Sequence, residues 1–247
     1  MGQLRVVIIG GGFGGLNAAL GLGGLAVDVT LIDKRNFHLF QPLLYQVATA
    51  GLSPGDVAAP LRSVLRSKKS VTVLLEEVTE IQTGARVLKT TSGEIPYDIL
   101  ILAAGADNFY FGHDEWAAFA PALKSIEDAT AVRSEILSAF ENAEKETDPA
   151  IRREWLRFVV VGGGPTGVEL AGAIAEIGRD TLRNDFRRIH PEESEIILLD
   201  AGARVLAAMP ADLSEKAEQA LIALGVRTLT QCRVTAVDAC SVSFHSP

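Results

Sequence analysis

The sequence predicts an α/β fold in which two parallel βαβ units stand in tandem, and three observations carry that expectation. The segment RVVIIGGGFGGLNAAL (residues 5–20) places Gly10, Gly12 and Gly15 in a G-x-G-x-x-G spacing. The segment FVVVGGGPTGVELAGAIAE (residues 158–176) repeats the spacing at Gly162, Gly164 and Gly167. Each copy follows a run of branched apolar residues and opens an alanine-rich stretch, the strand–turn–helix context that gives the spacing structural meaning. Hydrophobic residues make up 48% of the chain and aromatics only 6%, the aliphatic balance expected of parallel strands buried on both faces.

Each glycine has its own task. The first (Gly10, Gly162) permits a tight turn, and the second (Gly12, Gly164) lets the backbone approach a pyrophosphate. The third (Gly15, Gly167) lets the helix pack on the strand. Unpaired amides at the helix N-terminus then face the phosphate oxygens. Both units are therefore expected to be Rossmann-like. One such spacing is a weak signal, whereas two in one chain point to two nucleotides that exchange electrons. A carboxylate ending the second strand of each unit would accept hydrogen bonds from ribose hydroxyls. Asp33 fills that place after Gly15, at the distance of one helix and one strand. Asp200 fills it after Gly167, at a spacing lengthened by an arginine-rich insert. Asp200 would repel a 2′-phosphate and favour NADH over NADPH, although Arg204 stands close in sequence.

A net charge of −8 argues against a nucleic-acid partner and offers no basic footprint for anionic lipid. No apolar run approaches the roughly 18 residues of a membrane span. Residues 1–10 lead straight into a strand without a signal-peptide layout. Cys232 and Cys240 form no C-x-x-C pair, so no redox-active dithiol is expected. The four histidines are scattered without metal-ligand spacing, so no metal site is expected.

Along the chain, residues 4–9 read as a strand and 13–20 as its helix, ended by Gly21, Gly23 and Gly24. A second strand is expected at 27–32, closing at Asp33. Residues 37–60 read as one long irregular stretch punctuated by Pro42, Gly51, Pro54 and Gly55, its core too apolar for disorder. Short strands are expected at 71–75, 78–81, 86–90 and 97–103. Residues 108–124 form a connector. Ser125 and Asp128 give a helix start signature, and apolar spacing continues to about residue 146. The second unit begins at Phe158, with an insert at 179–190, a strand at 195–199, a helix at 213–224 and short strands at 226–229 and 234–237. The domains expected are 1–107 for the first nucleotide, 108–155 as connector with its long helix, and 156–247 for the second.

The two fingerprints, FQPLLYQVATAGLSP (residues 40–54), LAAGA (residues 102–106) and GGGPTGVELAGAIAE (residues 162–176) together resemble the flavin-dependent pyridine-nucleotide reductases. Within them, the chain is most similar to type II NADH dehydrogenase, the non-proton-pumping NADH:quinone oxidoreductase of respiratory chains. The resemblance runs from residue 3 to about 238. It implies an FAD-type unit followed by an NAD-type unit, and FAD contacts at Gly10, Gly12, Phe13, Gly14, Gly15, Asp33, Lys34, Arg35, Val78, Ala104 and Gly105. Gln41, Pro42, Leu43 and Leu44 would lie near the isoalloxazine. NADH would be held by Gly162, Gly164, Pro165, Thr166, Gly167 and Asp200. Glu169, by the same resemblance, is the ionisable candidate facing the nicotinamide and quinone region, though a first-turn glutamate also suits the helix dipole. No nucleophile or metal is needed for hydride transfer from NADH to a flavin.

Two departures are visible. Many relatives have Ala-Thr-Gly where this chain has Ala103, Ala104 and Gly105. The family's return to the flavin domain, its quinone segment and its membrane-binding helices are not found, and residues 240–247 do not continue the expected hairpin, so the chain reads as a fragment. The resemblance implies quinone as partner and a place at the inner face of the bacterial cytoplasmic membrane for the complete protein, with a homodimer left open. A soluble flavin-dependent NAD(P)H reductase serving an electron-transfer protein, and a catalytically inert nucleotide-binding module, are the alternatives.

Overall fold

Val, Ile and Leu crowd the segments that become parallel strands, because branched side chains pack well on a pleated surface. The computed structural model describes residues 3–246, and the chain divides into two compact units. The first comprises residues 1–40 and 54–107, the second 41–53 and 108–247. The chain opens with β1 (Leu4–Ile9), α1 (Phe13–Leu22), β2 (Val27–Asp33) and β3 (Phe37–Leu39). Next come α2 (Leu44–Ala48), β4 (Ala58–Pro60), α3 (Leu61–Val64) and β5 (Val71–Leu75). β6 (Val78–Gln82), β7 (Val87–Thr90), β8 (Glu94–Pro96) and β9 (Ile99–Leu102) complete the first unit. There follow α4 (Ile126–Lys145), α5 (Pro149–Trp155), β10 (Arg157–Val161) and α6 (Pro165–Glu176). β11 (Glu195–Leu199), α7 (Ala211–Ala223), β12 (Val226–Leu229), β13 (Arg233–Val237) and β14 (Val242–His245) end the chain.

In the first unit a parallel sheet runs β5-β2-β1-β9. Successive side chains of β1 point to opposite faces. Val6 and Ile8 pack with Leu16 and Ala19 of α1 and with Val29 and Leu31 of β2. Val7 packs the other way, with Ile32, Leu88 of β7 and Tyr97. The antiparallel β6-β7-β8 ribbon thus supplies the cover on that second face. One ion pair closes the end of the sheet where β1 starts. The Arg5 guanidinium donates to both oxygens of Asp98, at 2.8 and 3.1 Å. The Arg5 backbone N–H donates to the same carboxylate, and the Asp98 N–H donates to the Arg5 carbonyl.

The second unit centres on a parallel β10-β11-β12 sheet against which α6 packs. Ser125 and Asp128 close a capping box that starts α4, each satisfying the other's amide. Phe140 of α4 is fully buried against Phe158 and Phe186, and Glu144 accepts the backbone N–H groups of Arg187, Arg188 and Ile189. Those contacts fasten the arginine-rich insert. Arg179, at its start, donates to the Ala223 carbonyl at the end of α7.

Five sequence expectations need correction. Helix α1 runs through Gly21 to Leu22 and stops only at Gly23. Residues 37–60 are ordered rather than irregular, because β3 and β4 pair antiparallel and close the base of the excursion. The strand expected at 97–103 is present as β9, but it is preceded by a short strand not expected from the sequence, β8, which belongs to the antiparallel ribbon. Helix α5, started by Asp148 accepting the Ala150 N–H, lies inside the expected connector. Finally, residues 233–245 do form a hairpin, β13 with β14. Its turn is held by Asp238 accepting from the amides of Cys240 and Ser241. Among the described residues no helix is long and apolar enough to cross a membrane.

The Arg5 side chain, followed by its backbone N–H, holds the Asp98 carboxyl down at about 2. A depressed carboxylate contributes stability above its ordinary value near 3.8 that is lost as pH falls toward 2. Asp98→Asn should therefore lower the melting temperature at pH 7 but leave it equal to wild type near pH 2. Melting curves between pH 7 and 2 that stay parallel for the two proteins would contradict this assignment.

Candidate dinucleotide-binding sites

Both glycine loops take the same backbone path. Gly10 leaves β1 with φ +101°, its N–H donating to the Ile32 carbonyl at 2.8 Å. Gly162 leaves β10 with φ +108°, its N–H donating to the Leu199 carbonyl at 2.8 Å. Gly12 (φ −69°, ψ −168°) and Gly164 (φ −75°, ψ 179°) are the N-caps of α1 and α6. No side chain caps either helix and neither first turn carries an acid, so their amides are left for an anion. A Cβ on Gly12 or Gly164 would enter open space, the room a pyrophosphate needs. A Cβ on Gly15 or Gly167 would collide with the carbonyl oxygen of Gly10 or Gly162. The residues present thus fit two dinucleotides.

The strand-end carboxylates hold these loops. Asp33 accepts from Gly11 N–H at 2.5 Å and from Arg35 N–H at 2.6 Å. Asp200 accepts from Gly163 N–H at 2.6 Å and from Gly202 N–H at 2.6 Å. A carboxylate offers about four acceptor positions, so each keeps capacity for ribose hydroxyls. Sequence reasoning assigned them the ribose task alone, and the structure adds a backbone task.

The remaining first-unit candidates gather around the same loop. Phe13 is 43% exposed and meets His38 and Phe40 edge-on, at 4.8 and 5.5 Å. Gly14 lies in the first turn of α1, where an added Cβ would come into ordinary contact with Ala103. Lys34 is exposed, and the Arg35 guanidinium lies 6.0 Å from the Phe37 ring centre. Ala103 N–H donates to the Ile9 carbonyl, which carries Ala104 and Gly105 (φ +80°) past the end of β1. Val78 opens β6 shortly after Glu76, whose amide donates to the Asp33 carbonyl.

Gln41, Pro42, Leu43 and Leu44 fold with the second unit, where Leu44, Val47 and Ala48 are buried and α2 packs on α4 and α6. Gln41 and Pro42 remain exposed. Pro165, Thr166 and Gly167 form the first turn of α6, with Pro165 at a position that needs no amide hydrogen. Glu169 lies one turn further on, and partial burial raises its carboxyl above the ordinary range with no hydrogen bond opposing it. Arg204 does not stand free, since one of its nitrogens donates to the carbonyls of Ala207 and Met209. Cys232 and Cys240 are free thiols in the second unit.

Two groups escaped sequence reasoning. His38 Nδ1 donates to the Gly11 carbonyl at 3.0 Å, and Leu206 N–H donates to the Gly163 carbonyl at 2.6 Å. Neither has a sequence signal, because one is a lone histidine and the other acts through its backbone.

The glycine geometry separates two substitutions. Gly12→Ala should leave unfolding free energy within about 0.5 kcal/mol of wild type, because its φ suits alanine and its surroundings are open. Gly15→Ala should cost about 1–3 kcal/mol, because helix and strand must separate to admit the methyl group. Denaturant titrations of both variants giving equal losses would show the loop geometry to be misassigned.

Over 241 residues the chain is 53% identical to a type II NADH:quinone oxidoreductase of Mycobacterium tuberculosis, covering 96% of this chain and 51% of that protein. It is 30% identical to an external alternative NADH-ubiquinone oxidoreductase of Yarrowia lipolytica, covering 94% and 42%. The chain spans about half the length of the curated relatives it matches. Among solved structures, NDH2 from Plasmodium falciparum in complex with NADH superposes with a TM-score of 0.91 at 27% identity, covering 99% of this chain and 51% of that one. Residues 4–245 match one family throughout. The chain belongs to the pyridine nucleotide-disulphide oxidoreductase family.

Proposed function

We propose that this chain supplies both nucleotide sites of a type II NADH:quinone oxidoreductase, with FAD on the first loop and NADH on the second. The observation that carries the reading is the duplicated loop, each copy with an open glycine N-cap and a strand-end carboxylate, in a chain 53% identical to a protein of that name. In this reading residues 1–107 bind FAD, 108–155 connect, and 156–247 bind NADH, with 41–53 joining the second part. With a membrane quinone as final acceptor and cytoplasmic NADH as donor, the complete enzyme would, in this reading, work at the inner face of a bacterial cytoplasmic membrane.

A bound flavin supplies the capacity to accept hydride and release electrons. The chain's residues bind and orient. Gly12 and Gly164 present N–H groups to the two pyrophosphates, and Asp33 and Asp200 accept ribose hydroxyls. Glu169, raised by burial, holds its proton to a higher pH than an ordinary glutamate and suits proton exchange beside a reacting nucleotide.

The flavin absorption spectrum of purified, FAD-reconstituted protein tests the reading, together with bleaching on NADH addition. Retained flavin that NADH bleaches is expected, and protein that retains no flavin would overturn the reading. Asp33→Ala should weaken FAD about 10- to 100-fold, since a charge-assisted hydrogen bond contributes roughly 1.5–3 kcal/mol. An unchanged FAD dissociation constant would remove Asp33 from the site.

NADH should bind at least about 10-fold more tightly than NADPH, equivalent to ~1.4 kcal/mol of repulsion at Asp200. One nitrogen of Arg204 is held by the carbonyls of Ala207 and Met209. Paired titrations with NADH and NADPH check this, and equal affinities would mean that Arg204 turns to the 2′-phosphate.

A further inference from the structure

The middle glycine of each loop is gripped on both of its peptide units. In the first loop Asp33 takes the Gly11 N–H and His38 donates to the Gly11 carbonyl. A carbonyl can only accept, so His38 carries its hydrogen on Nδ1. In the second loop Asp200 takes the Gly163 N–H and the Leu206 amide donates to the Gly163 carbonyl. The donors differ in kind. Leu206 supplies its N–H from a left-handed backbone (φ +50°), which costs a leucine energy, while His38 uses a side chain steadied by the β3–β4 pair and the Phe13 ring edge. The loop conformations they accompany nearly coincide, with φ +101° at Gly10 against +108° at Gly162, and −69° at Gly12 against −75° at Gly164.

A peptide unit is planar, and in the trans form its C=O and N–H point in opposite directions. No cis peptide occurs among the described residues. A donor on the Gly11 carbonyl therefore aims the Gly12 N–H the opposite way, away from His38, at the N-cap of a helix that no side chain caps. We infer that His38 is a positioning residue for dinucleotide binding by the first loop. Its Nδ1–H fixes the 11–12 peptide so that the Gly12 amide meets the pyrophosphate, the task that Leu206 performs for Gly164. Without it, that peptide can rotate and offer its carbonyl oxygen to the anion instead.

This inference rests on the FAD reading of the first loop. The test measures FAD and NADH dissociation constants and melting temperature for wild type, His38→Ala, His38→Asn and His38→Gln. The asparagine amide nitrogen can stand where Nδ1 stands, whereas glutamine places its nitrogen farther out. His38→Ala and His38→Gln should weaken FAD about 10-fold, and His38→Asn should stay within about 3-fold of wild type. NADH affinity should be unchanged in all three. Should the alanine variant fail to fold, the asparagine–glutamine contrast carries the result. FAD affinity equal in wild type and His38→Ala, or equally weak in His38→Asn and His38→Gln, overturns the role of Nδ1. Wild-type protein that binds no FAD overturns the functional reading itself, an outcome the variants do not mimic.

Discussion

The hydrogen bond from the loop's middle glycine to the carboxylate ending the second strand organises each unit. Asp33 with Gly11 and Asp200 with Gly163 tie a loop that has left its strand back to the neighbouring strand, at 2.5 and 2.6 Å. An ionised acceptor makes such a bond about twice as strong as a neutral one. The rest follows in order. With the loop tied down, the first glycine must take a left-handed φ, the helix starts at the second, and the third lies close enough to the first glycine's carbonyl to exclude any side chain. The same carboxylate's other oxygen ties the chain after the strand, at Arg35 and Gly202. Glycine spacing and aspartate are thus one device.

The parallel core was legible in the sequence because its signal is local. β1, β10 and β11 contain runs of branched apolar residues, and the Ser125–Asp128 box marks where α4 begins. What was not legible depends on partners distant in sequence. β3 and β4 are short strands that exist by pairing with each other, although the whole of α2 and its flanking turns separates Leu39 from Ala58. β8 is only three residues long and exists by pairing with β7, so its own alternation carries no signal. The closing hairpin carries a bulge between Val234 and Ala236, which disrupts the alternation a strand reading relies on.

The candidate site shows the same division. Glycines and strand-end aspartates announce themselves, because few other residues tolerate those positions. His38 and Leu206 do not, since a donor to a loop carbonyl can come from any polar side chain or from the backbone. The FQPLLYQVA segment was expected to line something from its apolar character, and to lie near a flavin from its resemblance. From Gln41 onward it folds with the second unit, burying Leu44, Val47 and Ala48 while leaving Gln41 and Pro42 exposed. Apolar content showed that it would be packed, without showing that α4 and α6 would be the elements beneath it.

The two loops together separate what the physics requires from what this sequence happens to use. Carboxylate and glycines recur in type and position, so they answer to the shape of the turn itself. The carbonyl-side donor recurs in function alone: an imidazole in one loop, a main-chain amide in the other. A main-chain donor needs an unusual backbone, and Leu206 stands at φ +50° to provide it. A side-chain donor needs a platform, and β3–β4 provides one for His38. The β3–β4 ribbon in one unit, and the tight 201–209 segment in the other, are therefore unlike in appearance and equivalent in purpose. Each brings one N–H to the far side of a glycine peptide, so that the opposite N–H faces the anion.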